Sequence, residues 1–153
     1  MKYKPYLIAF FFFLIDFLSK QVVIHTLKLE KSIKVIDNFF YLTYTQNKGA
    51  AFSILKDERI LLLILTVLII FIIHKYIDKE RLNKLEIFFL GMIIGGIIGN
   101  FFDRLVYGYV IDFLDFYLFG YNYPVFNLAD SFIVIGIILM LVISFRKEHV
   151  WKK

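Results

Sequence analysis

The sequence predicts an all-α membrane protein with four transmembrane helices and a small β-rich extracytoplasmic platform. The 153-residue chain is 60% hydrophobic and has a mean hydropathy of +0.74, whereas soluble domains are roughly 45–50% apolar. One soluble domain of this length has too little interior to bury so much apolar surface. The net charge is +5, but the basic residues flank apolar segments instead of forming one face, which favours a membrane over a nucleic-acid partner.

Four apolar segments are close to the roughly 20 residues that cross a bilayer core. They run over residues 6–24, 60–77, 85–102 and 126–145. The first begins like a signal peptide, but it lacks a small-x-small cleavage site and is interrupted by Asp16, so we expect it to be retained. In the third, Gly91, Gly95 and Gly99 recur every four residues, which is typical of close helix packing. We expect residues 1–153 to form a single integral membrane domain.

The placement of Lys and Arg orients these spans by the positive-inside rule. Both termini and the loop after the second span are basic, whereas the loop after the third span has only Arg104. Both termini are therefore predicted to be cytoplasmic. The loop of residues 25–59 then lies outside, with six Lys and Arg residues diluted over the longest loop. Residues 35–45 are rich in β-branched and aromatic side chains that partly alternate, which predicts a small sheet there.

Composition also narrows the possible chemistry. The chain has no cysteine, which excludes disulfides, thiolate catalysis and Cys-based metal sites. His25, His74 and His149 are scattered without metal-ligand spacing, and none lies close to the apolar motifs, as a Ser-His-Asp triad would require. We therefore expect neither a metal nor another cofactor, and carboxylates remain as the candidate catalytic groups.

Polar residues gather at the predicted outer ends of the spans. They are Asp16, Lys20, Asn47, Ser53, Asn100, Asp103, Arg104, Asp112, Asn127 and Asp130, with Gly49 in the same outer loop as Asn47 and Ser53. Each has an ordinary interpretation when taken singly. Asp16 and Lys20 suit a local ion pair or a snorkelling lysine, and Asp130 suits a helix N-terminus capped by Asn127. Asp112 would be an interfacial loop residue. The convergence of several carboxylates near hydrocarbon nevertheless indicates function.

Two carboxylates in a partly dry site share one proton, so that one can act as base and the other as acid. Together they can activate a water molecule for attack on an amide carbonyl. Aspartic peptidase chemistry is thus a natural use of Asp112 and Asp130, with Asp115 as a rival for the second carboxylate. Spacing alone does not select this chemistry over proton transport, and a non-enzymatic scaffold built on the glycine face is a further alternative.

Five dispersed motifs carry a resemblance to a known family. They are DFLSK (16–20), NKGAAFS (47–53), GGIIGNFFDR (95–104), VIDF (110–113) and FNLAD (126–130). In this order and on these spans, they resemble those of bacterial lipoprotein signal peptidase, or signal peptidase II, a four-span aspartic peptidase of the cytoplasmic membrane. The resemblance implies removal of signal peptides from prolipoproteins, with cleavage on the N-terminal side of a diacylglyceryl-modified cysteine.

The same resemblance implies roles for individual residues. Asp112 and Asp130 would form the catalytic dyad, and Asp112 is favoured over Asp115 because it occupies the family position in VIDF. The residues around the dyad and the substrate channel would be Asn47, Gly49, Asn100, Arg104, Asn127 and Ala129. Asp16, Lys20 and Asp103 would have structural or supporting roles. Tyr123 stands where many relatives have Trp, a change that keeps an interfacial aromatic.

Partners and location follow from the resemblance as well. We expect a diacylglyceryl-modified prolipoprotein as substrate, contact with membrane lipids, inhibition by the cyclic peptide globomycin, and a monomeric enzyme without a nucleic-acid partner. The site would lie near the outer leaflet of the bacterial cytoplasmic membrane. The loop that carries NKGAAFS would form an outer loop-helix lid over the site.

Overall fold

In the computed structural model, residues 3–49, 55 and 57–151 are described, with side chains through residue 146. The helices are α1 (Lys4–Thr26), α2 (Arg59–Lys79), α3 (Lys84–Val106) and α4 (Leu128–Trp151). The strands are β1 (Ser32–Ile36), β2 (Phe40–Asn47), β3 (Val110–Leu118) and β4 (Tyr121–Asn122). All four helices are long and apolar enough to cross a membrane. The chain is therefore a multi-pass membrane protein, and the predicted fold class of four helices with a small sheet is confirmed.

The helix boundaries differ from the apolar segments, and two of the differences lie at the candidate site. Helix α3 continues four residues beyond 102, to Val106; its last turn includes Asp103, whose side chain lies inside the protein. Helix α4 begins at Leu128, two residues later than the start of the apolar segment, because Asn127 caps it. The polar residues at both boundaries belong to the candidate site.

Helix α3 lies between α1 and α4, and glycines permit the close approach. A Cβ atom on Gly91 would lie 2.6 Å from the Ile8 side chain, and one on Gly95 would lie 2.6 Å from the carbonyl oxygen of Ala9. Gly96 faces the carbonyl of Ala129 in α4 at a similar distance. The glycine spacing therefore predicted the packing correctly, and this packing aligns the last turn of α3 with its two neighbours.

The four strands form one antiparallel sheet in the order β1-β2-β3-β4. The central β2–β3 pairing places Thr45 opposite Asp112 and Asn47 opposite Val110. The loop after α1 and the loop after α3 are thereby joined beside the ends of both helices. Buried Ile111 and Phe113 pack with residues near the C-terminal end of α1 and fix the sheet to the bundle.

The sequence predicted strands only in the first outer loop, so β3 and β4 are additional. The interpretation of Asp112 as an interfacial loop residue is wrong, because Asp112 lies within β3. Apolar residues occupy both faces of β3, with Ile111 and Phe113 on one and Leu114 and Phe116 on the other. The alternation of apolar and polar residues that identifies a half-buried strand is therefore weak in this segment.

Candidate active site

Asp112 lies in β3 and is 2% exposed. Its Oδ1 accepts a hydrogen bond from Asn127 Nδ2 at 2.7 Å, and its Oδ2 accepts one from Asn47 Nδ2 at 3.0 Å. Asn47 ends β2, so the β2–β3 register brings its amide to this carboxylate. Both carboxylate oxygens of Asp112 are thus held by neutral amide donors from two separate segments.

Asp130 lies in the first turn of α4 and forms a reciprocal cap with Asn127. Asn127 Oδ1 accepts from the Asp130 backbone N at 2.9 Å, and Asp130 Oδ2 accepts from the Asn127 backbone N at 3.2 Å. This geometry is that of a capping box. Asp130 Oδ1 also accepts from Asn100 Nδ2 at 2.7 Å. The helix-cap interpretation is therefore correct, and the capping residue is also the one that contacts Asp112.

Burial, followed by the nearby negative charge of Asp130, raises the pKa of Asp112 to about 7. Hydrogen bonds from Asn47 and Asn127 and the positive charge of Lys20 act in the opposite direction. Desolvation disfavours a buried carboxylate anion, and a second anion beside it adds repulsion. Asp112 is therefore poised to exchange a proton near neutral pH.

A second buried cluster adjoins this pair. Lys20 is 1% exposed, and its Nζ lies 2.7 Å from Asp16 Oδ2, 2.8 Å from Asp103 Oδ2 and 3.1 Å from Asn100 Oδ1. Of the two ordinary interpretations of Asp16 and Lys20, the ion pair is correct, and the lysine does not extend to the surface. The pair is enlarged by Asp103 from α3, so the cluster links α1 to α3.

Backbone groups complete the second cluster. Asp16 Oδ1 accepts from the backbone N of Ala129 at 2.9 Å, and Asp103 Oδ2 accepts from that of Ile111 at 3.1 Å. Ala129 is fully buried, and a Cβ on Gly99 would meet Asp16 and Ala129. These two backbone donors tie α4 and β3 to the cluster, and no side-chain motif in the sequence could have identified them.

Arg104 connects the end of α3 to the loop that follows β2. Its Nη2 donates to the carbonyl of Gly49 at 2.8 Å, and its Nη1 donates to the carbonyl of Asn100 at 3.3 Å. Gly49 in turn donates its N–H to Asn47 Oδ1 at 2.9 Å, which turns the amino group of Asn47 toward Asp112. The rest of the NKGAAFS motif, residues 50–53, lies outside the described residues, and so does most of the predicted lid.

Asp115 lies on the opposite face of β3 from Asp112, because three residues along a strand reverse the side-chain direction. Its Oδ2 accepts from Thr43 Oγ1 at 2.5 Å, and Thr43 Oγ1 is 2.8 Å from Ser32 Oγ. A cavity of about 450 Å³ on this side is lined by Ser32, Asn38, Tyr41, Asp115, Tyr117 and Gly120. The cavity contains neither Asp112 nor Asp130. Sequence reasoning missed this threonine–serine pair, which belongs to no recognised motif.

Within the described part of the chain, no group of three or more His, Cys, Asp and Glu side chains is arranged to hold a metal ion. The polar network joins the predicted residues Asp112, Asp130, Asn47, Gly49, Asn100, Arg104 and Asn127, and the adjoining cluster joins Asp16, Lys20, Asp103 and Ala129. Two carboxylates held by amides at the end of a four-helix bundle suit the membrane aspartic peptidases, a class whose chemistry needs a carboxylate pair.

Comparison with known proteins identifies the family within that class. Residues 8–146 match the model of the peptidase A8 family, signal peptidase (SPase) II. The chain is 41% identical over 145 residues to a lipoprotein signal peptidase of Halothermothrix orenii, covering 95% of this chain and 97% of the relative. The chain belongs to the signal peptidase II family and is an aspartic peptidase. This membership supports the removal of signal peptides from prolipoproteins.

Two solved structures, each described as a bacterial membrane enzyme, have the same fold. The first has a TM-score of 0.88 and 35% identity, covering 97% of this chain and 91% of its own. The second has a TM-score of 0.83 and 34% identity, covering 92% and 91%. The arrangement of four helices and a small sheet is therefore shared with membrane enzymes over nearly the whole chain.

Proposed function

We propose that this peptidase removes the signal peptide from prolipoproteins by cleaving on the N-terminal side of the diacylglyceryl-modified cysteine, with Asp112 and Asp130 as the catalytic dyad. The observation that carries the proposal is the Asn127 bridge. One side chain donates to Asp112 and caps the helix turn that carries Asp130. Both carboxylates are thereby held in one preorganised unit, as acid–base catalysis by a pair requires.

The protonation of the pair follows from its surroundings. Asp130 is half-buried, and its two oxygens act as acceptors of N–H hydrogen bonds, the arrangement that suits a general base. Asp112, whose pKa is about 7, holds the shared proton in neutral and mildly acidic solution. Asp130 is then the general base and Asp112 the general acid.

Hydrolysis then proceeds in two steps without a covalent intermediate. Asp130 takes a proton from a water molecule while the water oxygen attacks the scissile carbonyl carbon and Asp112 donates a hydrogen bond to the carbonyl oxygen. The tetrahedral species collapses as the C–N bond breaks and a proton from the dyad passes to the leaving nitrogen. The signal peptide departs with a new carboxylate, and the modified cysteine departs with a free amine.

An aromatic row supports an apolar substrate next to the dyad. Phe116 lies on the same face of β3 as Asp112 and stacks on Phe40 at a centroid distance of 4.5 Å and on Phe126 at 5.7 Å. Phe126 immediately precedes Asn127 in the chain. We assign this row to contact with the apolar residues of the signal peptide beside the cleavage site.

The remaining site residues hold the dyad and the substrate. Asn47, Asn100 and Asn127 orient the carboxylates, and Arg104 and Gly49 fix the loop entering the lid. Ala129 keeps α4 close to α3, and the supporting cluster consists of Asp16, Lys20 and Asp103. The loop that carries NKGAAFS (residues 47–53) would close as a lid on the bound peptide and limit the access of water.

Location and partners complete the proposal. The enzyme is a monomer in the bacterial cytoplasmic membrane, surrounded by lipid, with both termini in the cytoplasm and the dyad near the outer leaflet. A lipid-modified cysteine anchored at that leaflet is then within reach of the dyad. Globomycin binds the dyad as a substrate mimic that is not cleaved.

Incubation of purified protein in detergent with a prolipoprotein tests the substrate assignment. One sample of the prolipoprotein carries the diacylglyceryl group and a matched sample does not, and mass spectrometry identifies the products. We expect a cut directly before the modified cysteine, inhibition by globomycin, and little or no cut without the lipid. Equal cleavage of both samples, or a cut elsewhere, would overturn the proposed specificity.

A further inference from the structure

Lys20 makes one hydrogen bond in addition to its two ion pairs. An ammonium group has three N–H donors, and Asp16 and Asp103 account for two of them. The third donor meets Oδ1 of Asn100 at 3.1 Å, and Asn100 donates its own N–H to Asp130 at 2.7 Å. A continuous line of hydrogen bonds therefore joins the buried cation to a catalytic carboxylate.

Two donors set the direction of this line, since Lys20 Nζ and Asn127 Nδ2 both donate to Asn100 Oδ1 at 3.1 Å, and Lys20 is the charged one. An ammonium group is a donor only, so the Asn100 atom that faces it must be the carbonyl oxygen. The amino group of Asn100 then necessarily faces Asp130. A flipped amide would set N–H against an ammonium and an oxygen against a carboxylate, and both contacts are repulsive.

We propose that Lys20 is a positioning residue for the dyad: it holds the Asn100 amide with its N–H toward Asp130, so that Asp130 remains the base and the shared proton remains on Asp112. This inference rests on the proposed function. Lys20 touches neither catalytic carboxylate by hydrogen bond and acts through Asn100.

Charged groups from four elements lie in or beside the network. They are Asp16 and Lys20 from α1, Asp103 and Arg104 from α3, Asp112 from β3 and Asp130 from α4. The Lys20 cluster has one positive and two negative charges and so carries a net charge of −1. Replacing Lys20 and Asp16 together by neutral residues leaves Asp103 alone and preserves that charge. The effect of the Asn100 amide orientation can therefore be measured separately from the effect of the cluster's charge.

The test compares two double variants with this same charge. Lys20→Met/Asp16→Asn has no N–H donor at position 20, whereas Lys20→Gln/Asp16→Asn retains a neutral one. In the first, we expect kcat to fall roughly 10- to 100-fold, the range set by one hydrogen bond to a charged group. We also expect KM to be unchanged and the acidic limb of the kcat–pH profile to move to higher pH. The second should restore the position of that limb.

Controls separate this inference from structural effects. Lys34→Met/Asp37→Asn makes the same chemical change at an exposed ion pair, 3.1 Å long, on β1 and the turn after it, and should leave kcat and the pH profile unaltered. Monodispersity and thermal unfolding report folding. A folded Lys20→Met/Asp16→Asn variant with a wild-type pH profile would overturn the role of Lys20 while the proposed function stands. A wild-type enzyme without cleavage would overturn the proposed function itself.

A measurement on the wild-type enzyme applies if neither double variant folds. Aspartate labelled with ¹³C at Cγ allows the Asp112 and Asp130 resonances to be followed by NMR, with assignment through Asp112→Asn and Asp130→Asn. We expect the Asp112 resonance to titrate near pH 7 and to show a protonated carboxyl below that pH. An Asp112 resonance that is already ionised at pH 5 would contradict the inference, because the shared proton would then not lie on Asp112.

Discussion

Among the residues that the structure describes, neutral amides, and not cations, make the direct side-chain contacts to both carboxylates. Asn47 and Asn127 donate to Asp112, and Asn100 donates to Asp130. A cation in direct contact would favour ionisation of both carboxylates, and the pair would lose the shared proton that makes one member an acid. Amides hold the geometry while leaving the pair to share one proton.

The pH dependence of turnover follows from the burial of Asp112. Its pKa is raised to about 7, so the acid is present below that pH and is lost as the pH rises through it. The hydrogen bond from Asn47 stabilises the anion, so Asn47→Ala raises the pKa of Asp112 further. The alkaline limb of kcat should then move to higher pH by roughly one unit, since such a bond contributes about 1.5 kcal/mol and a pKa unit is 1.36 kcal/mol.

Steady-state kinetics between pH 5 and pH 9 measure this limb. Gln46→Ala is the matched control, because Gln46 precedes Asn47 in β2 and donates to the Tyr44 hydroxyl without contacting the dyad. We expect its limb to coincide with that of the wild type. A limb that moves to lower pH in Asn47→Ala would refute the assignment of Asp112 as the acid.

At the scale of elements, α3 carries both the packing and the chemistry. Its glycines run along the faces toward α1 and α4, and its last two turns supply Asn100, Asp103 and Arg104. Close approach of the helices is what brings the Asp16–Lys20 pair of α1 within reach of Asp103 and Asn100. A change in helix packing at Gly99 therefore also displaces residues of the site, whereas a change at Gly91 does not.

Alanine at these two glycines should have different effects on catalysis. A Cβ at Gly91 meets Ile8 and the Pro5 carbonyl, whereas one at Gly99 meets the Asp16 carboxylate. Overpacking of either kind costs about 1–3 kcal/mol, so both variants should unfold at a lower temperature. Only Gly99→Ala should lower kcat per folded molecule. Thermal unfolding and kcat measured on the same samples test this, and an unchanged kcat in Gly99→Ala would contradict the coupling.

The sequence identifies the residues of the candidate site better than it predicts the strand that carries Asp112. Asp112 was identified as a candidate because a carboxylate in apolar company is unusual, yet its strand was missed because both faces of β3 are largely apolar. The preference for Asp112 over Asp115 came from a family motif, and the structure adds a physical reason, since the two side chains point to opposite faces of the sheet. The backbone donors of Ala129 and Ile111 have no side-chain signature and could not be predicted.

At the scale of the whole molecule, most of the buried polar side chains of the described residues lie at one end of the bundle, and Glu86 at the start of α3 is the exception. Helices α1 and α3 end, and α4 begins, at the end that holds the dyad and the sheet. The opposite end includes the α2–α3 loop with Lys79 and Arg81. The positive-inside rule assigns that end to the cytoplasm, which would leave the dyad at the outer surface, where a lipid-anchored substrate arrives.

Single-cysteine labelling tests this orientation, because the chain has no cysteine of its own. Phe119 is fully exposed at the β3–β4 turn, and Arg81 is exposed in the α2–α3 loop. A membrane-impermeant maleimide added to spheroplasts should label Phe119→Cys directly and Arg81→Cys only after permeabilisation. The opposite pattern would invert the topology and separate the dyad from the outer leaflet.

The central claim is that Asp112 and Asp130 together hydrolyse the scissile amide, and the most direct measurement is cleavage of diacylglyceryl-modified prolipoprotein by three single variants. Asp112→Asn and Asp130→Asn should fold like the wild type and lose turnover by at least about a hundredfold, as expected when a general acid or base is removed. Asp115→Asn, on the other face of β3, should remain active. Turnover that survives in folded Asp112→Asn or Asp130→Asn, or that is lost only in Asp115→Asn, would contradict the dyad.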